Sequence, residues 1–204
     1  MARPVLKLRA ETLRLLAPVD EAESLVDALK VRKPWAERAL VEDYTAPVER
    51  LITRVLGPSS DLDDLVQEVF IRALARVDQL RDEGVGRWLG AFAVNVAREA
   101  LRKKRRWRWL VSVAPEDAAE SRGHGAAPDV MAAMRSLYRL LDRMEPDDRV
   151  VFTLRAIEGL ELLEVAALAD MSLSTVKRRF KRAESWLFAH AARDVLLSDW
   201  VRAS

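Results

Sequence analysis

The chain of 204 residues has no cysteine, which excludes disulfides, thiolate nucleophiles and Cys-ligated zinc. With only two histidines, any metal site would have to be built almost wholly from carboxylates. Glycine and proline are also scarce, at 7 and 8 residues, while Ala, Leu, Arg and Glu dominate. Strong helix formers with few breakers predict an all-α chain. No long apolar run is present. The stretch Trp88 to Ala97 carries no charge but is far short of the roughly 20 residues needed to span a bilayer, and Arg9, Glu11 and Arg14 interrupt any signal-like start. The expectation is a cytoplasmic protein with no membrane insertion and no cofactor.

Half of the residues are apolar, enough to pack the core of one ordinary domain or two small ones. The formal net charge of +2 conceals strong local asymmetry. Four acids and no base fall between Asp61 and Glu68. Seven bases stand against Glu99 alone between Arg98 and Arg108, and five of the six residues from Lys177 to Arg182 are basic. Two basic clusters in separate halves of the chain suit a polyanion touched at two places.

The segment 111–128 has no apolar periodicity and collects Pro, Gly, Ser and acids, the composition of a flexible connector. It divides the chain into a first block at 1–110, with a short N-terminal tail, and a second at 129–204. In the first block, Asp20 with Glu23 reads as a capping box, Pro34 suits a first helical turn, and Val48, Leu51, Ile52, Val55 and Leu56 form a stripe ending at Gly57. After a Ser60 or Asp61 cap, Leu62, Leu65, Val66, Val69, Phe70, Ala73 and Leu74 share one face. A loop from Leu80 to Gly86 precedes a long helix that runs into the first basic cluster. In the second block, Gly159 should close a helix in the left-handed conformation. The short helices 162–169 and 173–189, separated by Asp170-Met171-Ser172, have helix-turn-helix spacing.

On the last of these helices, Val176, Phe180, Ala183 and Leu187 point inward, which turns Ser174, Lys177, Arg178 and Lys181 outward together. Such a row fits a recognition helix in a major groove, where Arg and Lys reach guanine edges and phosphates; the alternative is a solvated basic face. Thr175 is a helix-start residue. At about 100° per residue, Asn95, Arg98, Arg102, Arg105, Arg106 and Trp109 project from one side of the long helix. Trp88, Trp107 and Trp109 add surfaces on which unpaired bases could stack, or on which the protein itself packs. Asn95 is either a base reader or a satisfied interior amide. On the acidic helix, Asp64, Gln67, Glu68 and Ile71 lie opposite the core stripe. That charge repels phosphate and suits a basic protein partner, although first-turn acids also favour the helix dipole.

The string Asp64-Leu65-Val66-Gln67-Glu68-Val69-Phe70, then Trp88-Leu89, Asn95 and its basic run, then Glu164-Val165-Ala166 and Thr175-Val176-Lys177-Arg178-Arg179 with Arg182-Ala183, resemble sigma-70 family sigma factors of the extracytoplasmic-function group. The likeness covers about residues 24–190. It implies a two-domain bacterial transcription initiation factor, not an enzyme, with regions 2 and 4 and no region 3 domain. By the same resemblance, Asp61, Asp64, Gln67, Glu68 and Ile71 dock on core RNA polymerase at the β′ clamp helices, with the β subunit as a further contact. Trp88, Asn95, Arg98, Arg102, Arg105 and Arg106 face the minus-ten element, with the loop Leu80 to Gly86 capturing an unstacked base. Ser174, Thr175, Lys177, Arg178, Arg179, Lys181 and Arg182 read the minus-thirty-five element. The implied partners are core RNA polymerase, promoter DNA and an anti-sigma factor. Departures from the family pattern are Glu161 for a Ser or Thr cap, Asp170 for the turn Gly, Glu99 for Asp, and Arg178 for a small residue. The first two predict weakened helix ends, and Arg178 an altered promoter preference.

A stand-alone helix-turn-helix regulator is the competing reading. A nuclease would need a catalytic group, and three of the only candidates, Asp61, Asp63, Asp64 and Glu68, point in different directions with no His or Lys beside them.

Overall fold

The computed structural model describes residues 22–80, 84–111, 128–194 and 196–198, and they contain helices and no strand. The predicted tail, the Asp20 cap, Arg81 to Glu83 of the predicted loop, nearly all of the predicted connector, the side chain of Trp109 and residues beyond Ser198 lie outside them.

Helices α1 (Ala22–Lys30), α2 (Pro34–Leu56), α3 (Leu62–Leu74) and α4 (Val85–Val111), with a 3₁₀ turn at Val77–Gln79, form the first block. The second comprises α5 (Pro128–Leu141), α6 (Pro146–Phe152) continued by a π-helical turn at Thr153–Ile157, α7 (Leu162–Leu168) and α8 (Leu173–Ala191). Pro34 opens α2 at its first turn, as expected, yet α2 also continues through Pro47. A proline in a helix interior costs about 3 kcal/mol or more. Burial of Leu40 on one side of it and Val48, Leu51 and Ile52 on the other offsets that, at about 1.5–3 kcal/mol for each fully buried Val, Leu or Ile. The predicted side-chain cap of α3 is absent. The Ser60 hydroxyl instead donates to Asp61 Oδ1 at 2.8 Å, and Asp61 makes no cap hydrogen bond. Helix α4 begins at Val85, so Gly86 belongs to the helix and the loop closes on Gly84, whose φ is +90°.

The apolar stripes of α2, α3 and α4 meet in a core of Val48, Ile52, Val69, Ala73, Leu89 and Ala93. That core does not stop at the first block. Val150, Val151, Leu154, Leu160, Val165 and Leu168 of the second block continue it, so the two blocks share one apolar seam. Backbones come close there. A Cβ added to Gly57, which ends α2 with φ +75°, would lie 2.9 Å from the Tyr138 ring, and one added to Gly90 would lie 3.1 Å from Leu168 Cδ2. A second cluster, including Leu140, Leu141, Phe152, Ala183 and Leu187, holds α5 and α6 to α8, and Leu197 joins it.

Three predicted helix ends can be judged. Gly159 takes φ +73° and closes the π turn. Asp170 takes φ +50°, the left-handed turn conformation that Gly fills without penalty and Asp tolerates better than most residues. Glu161 is a correction: its backbone N–H donates to Glu164 Oε2 at 2.7 Å, a capping-box contact, so the start of α7 is not left bare.

Candidate polymerase and nucleic-acid interfaces

On α3, Asp61, Asp64 and Gln67 are exposed, and Ile71 keeps 56% of its surface in solvent. Glu68 is half-buried and already engaged. It accepts from Arg72 Nε at 2.6 Å, and Arg72 reaches on to Glu99 of α4 at 2.8 Å. Donating to these two carboxylates raises the Arg72 pKa above its ordinary value. The face is therefore acidic at its N-terminal end, apolar at Ile71, and bounded by a fixed Glu68–Arg72–Glu99 bridge.

The arginine row of α4 is not a solvated face. Arg98 donates through Nη1 to the Ala169 carbonyl of the second block at 2.9 Å and through Nη2 to Asn95 Oδ1. Arg102 pairs with Asp147 at 2.8 Å, Arg105 with Glu145, and Lys104 with Asp142 at 3.4 Å. Arg108 donates to the Asp142 carbonyl at 2.9 Å. Among the described residues, Lys103 and Arg106 are the cations between Arg98 and Arg108 that remain exposed with no such contact. Asn95 is half-buried with its amide oxygen occupied, which favours the interior-amide reading in this conformation. Trp88 is half-buried and packs edge-on against Phe92, ring centroids 5.3 Å apart. Trp107 is exposed.

Helix α8 starts at Ser172, whose hydroxyl accepts from the Thr175 N–H at 3.2 Å, so Thr175 is the helix-start residue the sequence predicts. Ser174, Lys177, Arg178 and Lys181 are exposed together. Arg179 and Arg182 are not part of that open row. Arg182 Nε lies 2.5 Å from Asp148 Oδ2, and Arg179 bridges Asp148 at 3.0 Å and Asp147 at 2.9 Å. The hydrogen bond and charge of Asp148 raise the Arg182 pKa.

Sequence reasoning missed the acids that organise all this: Asp142, Glu145, Asp147 and Asp148, four within seven residues around Pro146. The signal was that local density, the complement of the two basic runs. Arg149 was missed as well. It is 1% exposed, its Nε donates to the Val55 carbonyl at 2.6 Å, and it pairs with Asp142. Burial lowers its pKa, opposed by the charge of Asp142. A further cross-block pair joins Arg54 to the buried Glu158 at 2.5 Å.

Comparison with known proteins bears directly on this arrangement. Residues 40–107 match the family model Sigma-70 region 2, and residues 134–187 match Sigma-70, region 4. The ECF RNA polymerase sigma-E factor of Escherichia coli strain K12 is 30% identical over 169 residues, covering 78% of this chain and 88% of that protein. The chain belongs to the extracytoplasmic-function group of the sigma-70 family. The RNA polymerase sigma-H factor of Pseudomonas aeruginosa is 27% identical over 174 residues, 80% of this chain and 90% of the relative. Among solved structures, CnrH in complex with the cytosolic domain of CnrY superposes with a TM-score of 0.59 at 24% identity, over 86% of this chain and 99% of that one. The sigma factor RpoE in complex with the anti-sigma factor NepR, from Bartonella quintana, gives 0.58 at 18% identity, over 77% and 97%. These two structures share the fold.

The first block is thus the region 2 domain and the second the region 4 domain of a sigma factor, a promoter-specificity factor for RNA polymerase. A stand-alone regulator is not favoured, because it would not account for region 2. Among the described residues no three or more His, Asp or Glu are grouped so as to hold a metal ion, and no helix is long and apolar enough to cross a membrane.

Proposed function

We propose that this sigma factor divides its work among three surfaces. The α3 face of Asp61, Asp64, Gln67, Glu68 and Ile71 docks on the β′ clamp helices of core RNA polymerase. The α4 face of Trp88, Asn95, Arg98, Arg102, Arg105 and Arg106 engages the minus-ten element. The α8 set of Ser174, Thr175, Lys177, Arg178, Arg179, Lys181 and Arg182 reads the minus-thirty-five element, with Thr175 at the helix start. The observation that carries this reading is the separation of charge: one exposed acidic and apolar face on α3, and two basic rows on different domains. A polyanion is repelled by the first and attracted to the other two. The domain limits follow the same division, 1–110 for region 2 with its tail, 111–128 for the connector and 129–204 for region 4.

Opening the minus-ten element requires unstacking a base, which costs a few kcal/mol and must be offset by stacking and phosphate contacts. Trp88 with the α4 cations supplies both kinds of group. An anti-sigma factor is a further proposed partner, supported by two similar folds: CnrH held by the cytosolic domain of CnrY, and the sigma factor RpoE held by the anti-sigma factor NepR. The protein acts in the cytoplasm on this reading, and it needs no catalytic group of its own.

Reconstitution with core polymerase tests the whole assignment. Run-off transcription on a library of the source genome should start at discrete sites, and transcription indistinguishable from core enzyme alone would overturn it.

A further inference from the structure

Outside the three surfaces, a fourth group of charges lies ahead of the region 2 match, which begins at residue 40. Lys30, Arg32, Lys33 and Arg38 are all exposed, and Glu37 is the one acid between residues 30 and 38. Among the described residues, none of the four cations has an ion-pair or side-chain hydrogen-bond partner. They frame Val31 and Trp35, which keep 66% and 51% of their surfaces in solvent. Backbone hydrogen bonds hold the turn in place. The Arg32 N–H donates to the Leu29 carbonyl and the Lys33 N–H to the Ala28 carbonyl, each at 2.9 Å, the double closure that ends a helix at a left-handed residue. Glycine fills such a position without penalty, yet the residue with φ +54° here is an arginine. No contact of the Arg32 side chain within the described residues offsets that strain, and strained backbone of this kind gathers at binding surfaces.

The place of this turn in the fold decides what it can meet. Helix α1 packs on the 3₁₀ turn Val77–Gln79, which leads directly into the loop Leu80 to Gly86. At about 1.5 Å per residue the nine residues of α1 span about 13 Å, on the order of four nucleotides of a strand at about 3.4 Å each. The turn that ends α1 is therefore within reach of any strand the loop holds. We propose that Lys30, Arg32, Lys33, Trp35 and Arg38 form a further single-strand DNA site, which holds the strand beside the base captured by the loop Leu80 to Gly86. The inference rests on the assignment of that loop to the minus-ten element. The unpaired cations bind phosphates and release their counterions. The open face of Trp35 stacks an unpaired base, a contact that every base can make. A closed duplex offers no base face to Trp35, so the site favours melted over paired DNA.

The test uses holoenzyme reconstituted from core polymerase and the full chain, on a promoter fragment recovered by run-off transcription. Trp35→Ala and Arg32→Gly should each shorten the lifetime of open complexes under heparin challenge several-fold, and together at least tenfold, with binding to core polymerase unchanged. Arg32→Gly should at the same time not lower the urea midpoint of the free chain, because glycine relieves the left-handed strain, so a folding defect is separated from a lost contact. A photo-crosslinking substitution, Trp35→p-benzoylphenylalanine, should join the open complex to an unpaired nucleotide within about four positions of the minus-ten element. Wild-type lifetime in the double variant, or a crosslink to a polymerase subunit in place of DNA, overturns the proposal. Loss of core binding in either single variant also overturns it and makes the turn a protein contact. Wild-type holoenzyme that opens no promoter removes both this site and the reading it rests on, whereas normal opening with an indifferent double variant removes this site alone.

Discussion

The arginine rows of α4 and α8 look alike in the sequence and differ in the folded chain. Both are dense runs of Arg and Lys on the polar side of an amphipathic helix. On α8, Lys177, Arg178 and Lys181 stand in solvent without such partners, and the acids reach the partly buried Arg179 and the exposed Arg182. On α4, five cations from Arg98 to Arg108 are spoken for by the other domain. The difference lies in what packs opposite. The acids around Pro146 lie in the turn after α5 and in the first turn of α6, and the shared apolar seam carries them onto α4. A basic run therefore reports an affinity for anions, and the fold decides whether the anion is DNA or the protein's own carboxylate.

The strongest way to break this comparison is through the buried group that anchors the seam. Arg149→Ala removes a guanidinium held by the Val55 carbonyl and leaves Asp142 with only the longer contact to Lys104, at 3.4 Å. Loss of one partner of a buried ion pair costs about 3–5 kcal/mol, to be read from urea unfolding of the full chain. A loss under about 1 kcal/mol would mean that the buried arginine contributes little to the seam.

The acidic face of α3 is the control, since neither basic row touches it. The double substitution Asp64→Arg with Glu68→Arg should weaken binding to core polymerase by about 2–4 kcal/mol, from like charges placed against a basic partner. Duplex binding by the full chain should not fall. Unchanged core affinity in a titration with labelled sigma factor would remove α3 from the polymerase interface.

The two rows themselves are separated by matched single substitutions. In the free chain, Arg178→Ala should relax discrimination at one base pair by about 1–3 kcal/mol, the worth of a bidentate guanine contact. Arg105→Ala should change duplex binding less, because Glu145 already occupies that guanidinium. In the reconstituted holoenzyme, Arg105→Ala should reduce open-complex formation, read by permanganate reactivity of unpaired thymines. Equal effects of the two substitutions in the free chain would abolish the distinction between the rows.

The smallest effect concerns how α8 is held in place. Ser172→Ala removes the cap on the Thr175 N–H and should cost about 1 kcal/mol of stability. The binding motif selected from random duplexes should be unchanged, since Ser172 positions the helix rather than reading bases. A shifted motif would make Ser172 a contact.

Much of the fold was open to reading along the chain. The scarcity of Gly and Pro, the stripes at helical spacing, Gly159 as a left-handed end and Ser172 as a cap are local properties, fixed by backbone sterics and by the first few residues of each helix. The outward set Ser174, Lys177, Arg178 and Lys181 was legible for the same reason: rotation per residue on one helix decides it. Local rules failed where packing or a further side chain, nearby or on another helix, supplied what the residue alone lacked. Helix α2 continues through Pro47 because burial on both sides offsets the cost of an interior proline. Glu161 read as a poor cap, and Glu164 one turn later made it adequate. Glu68 read as open, and Arg72 together with Glu99 of α4 closed it.

The sequence by itself determined helix content, the two-part division, the three charged surfaces and the family resemblance, because each depends on residues close in the chain or on their order. Only the tertiary structure decided which charges are available. The cross-domain partners of Arg98, Arg102, Arg105 and Arg149 lie between 40 and 94 residues away in the chain. No periodicity encodes those pairings. They exist because an apolar seam, from Gly57 and Gly90 to Tyr138 and Leu168, brings the second domain onto the first and fixes the acidic turn against α4.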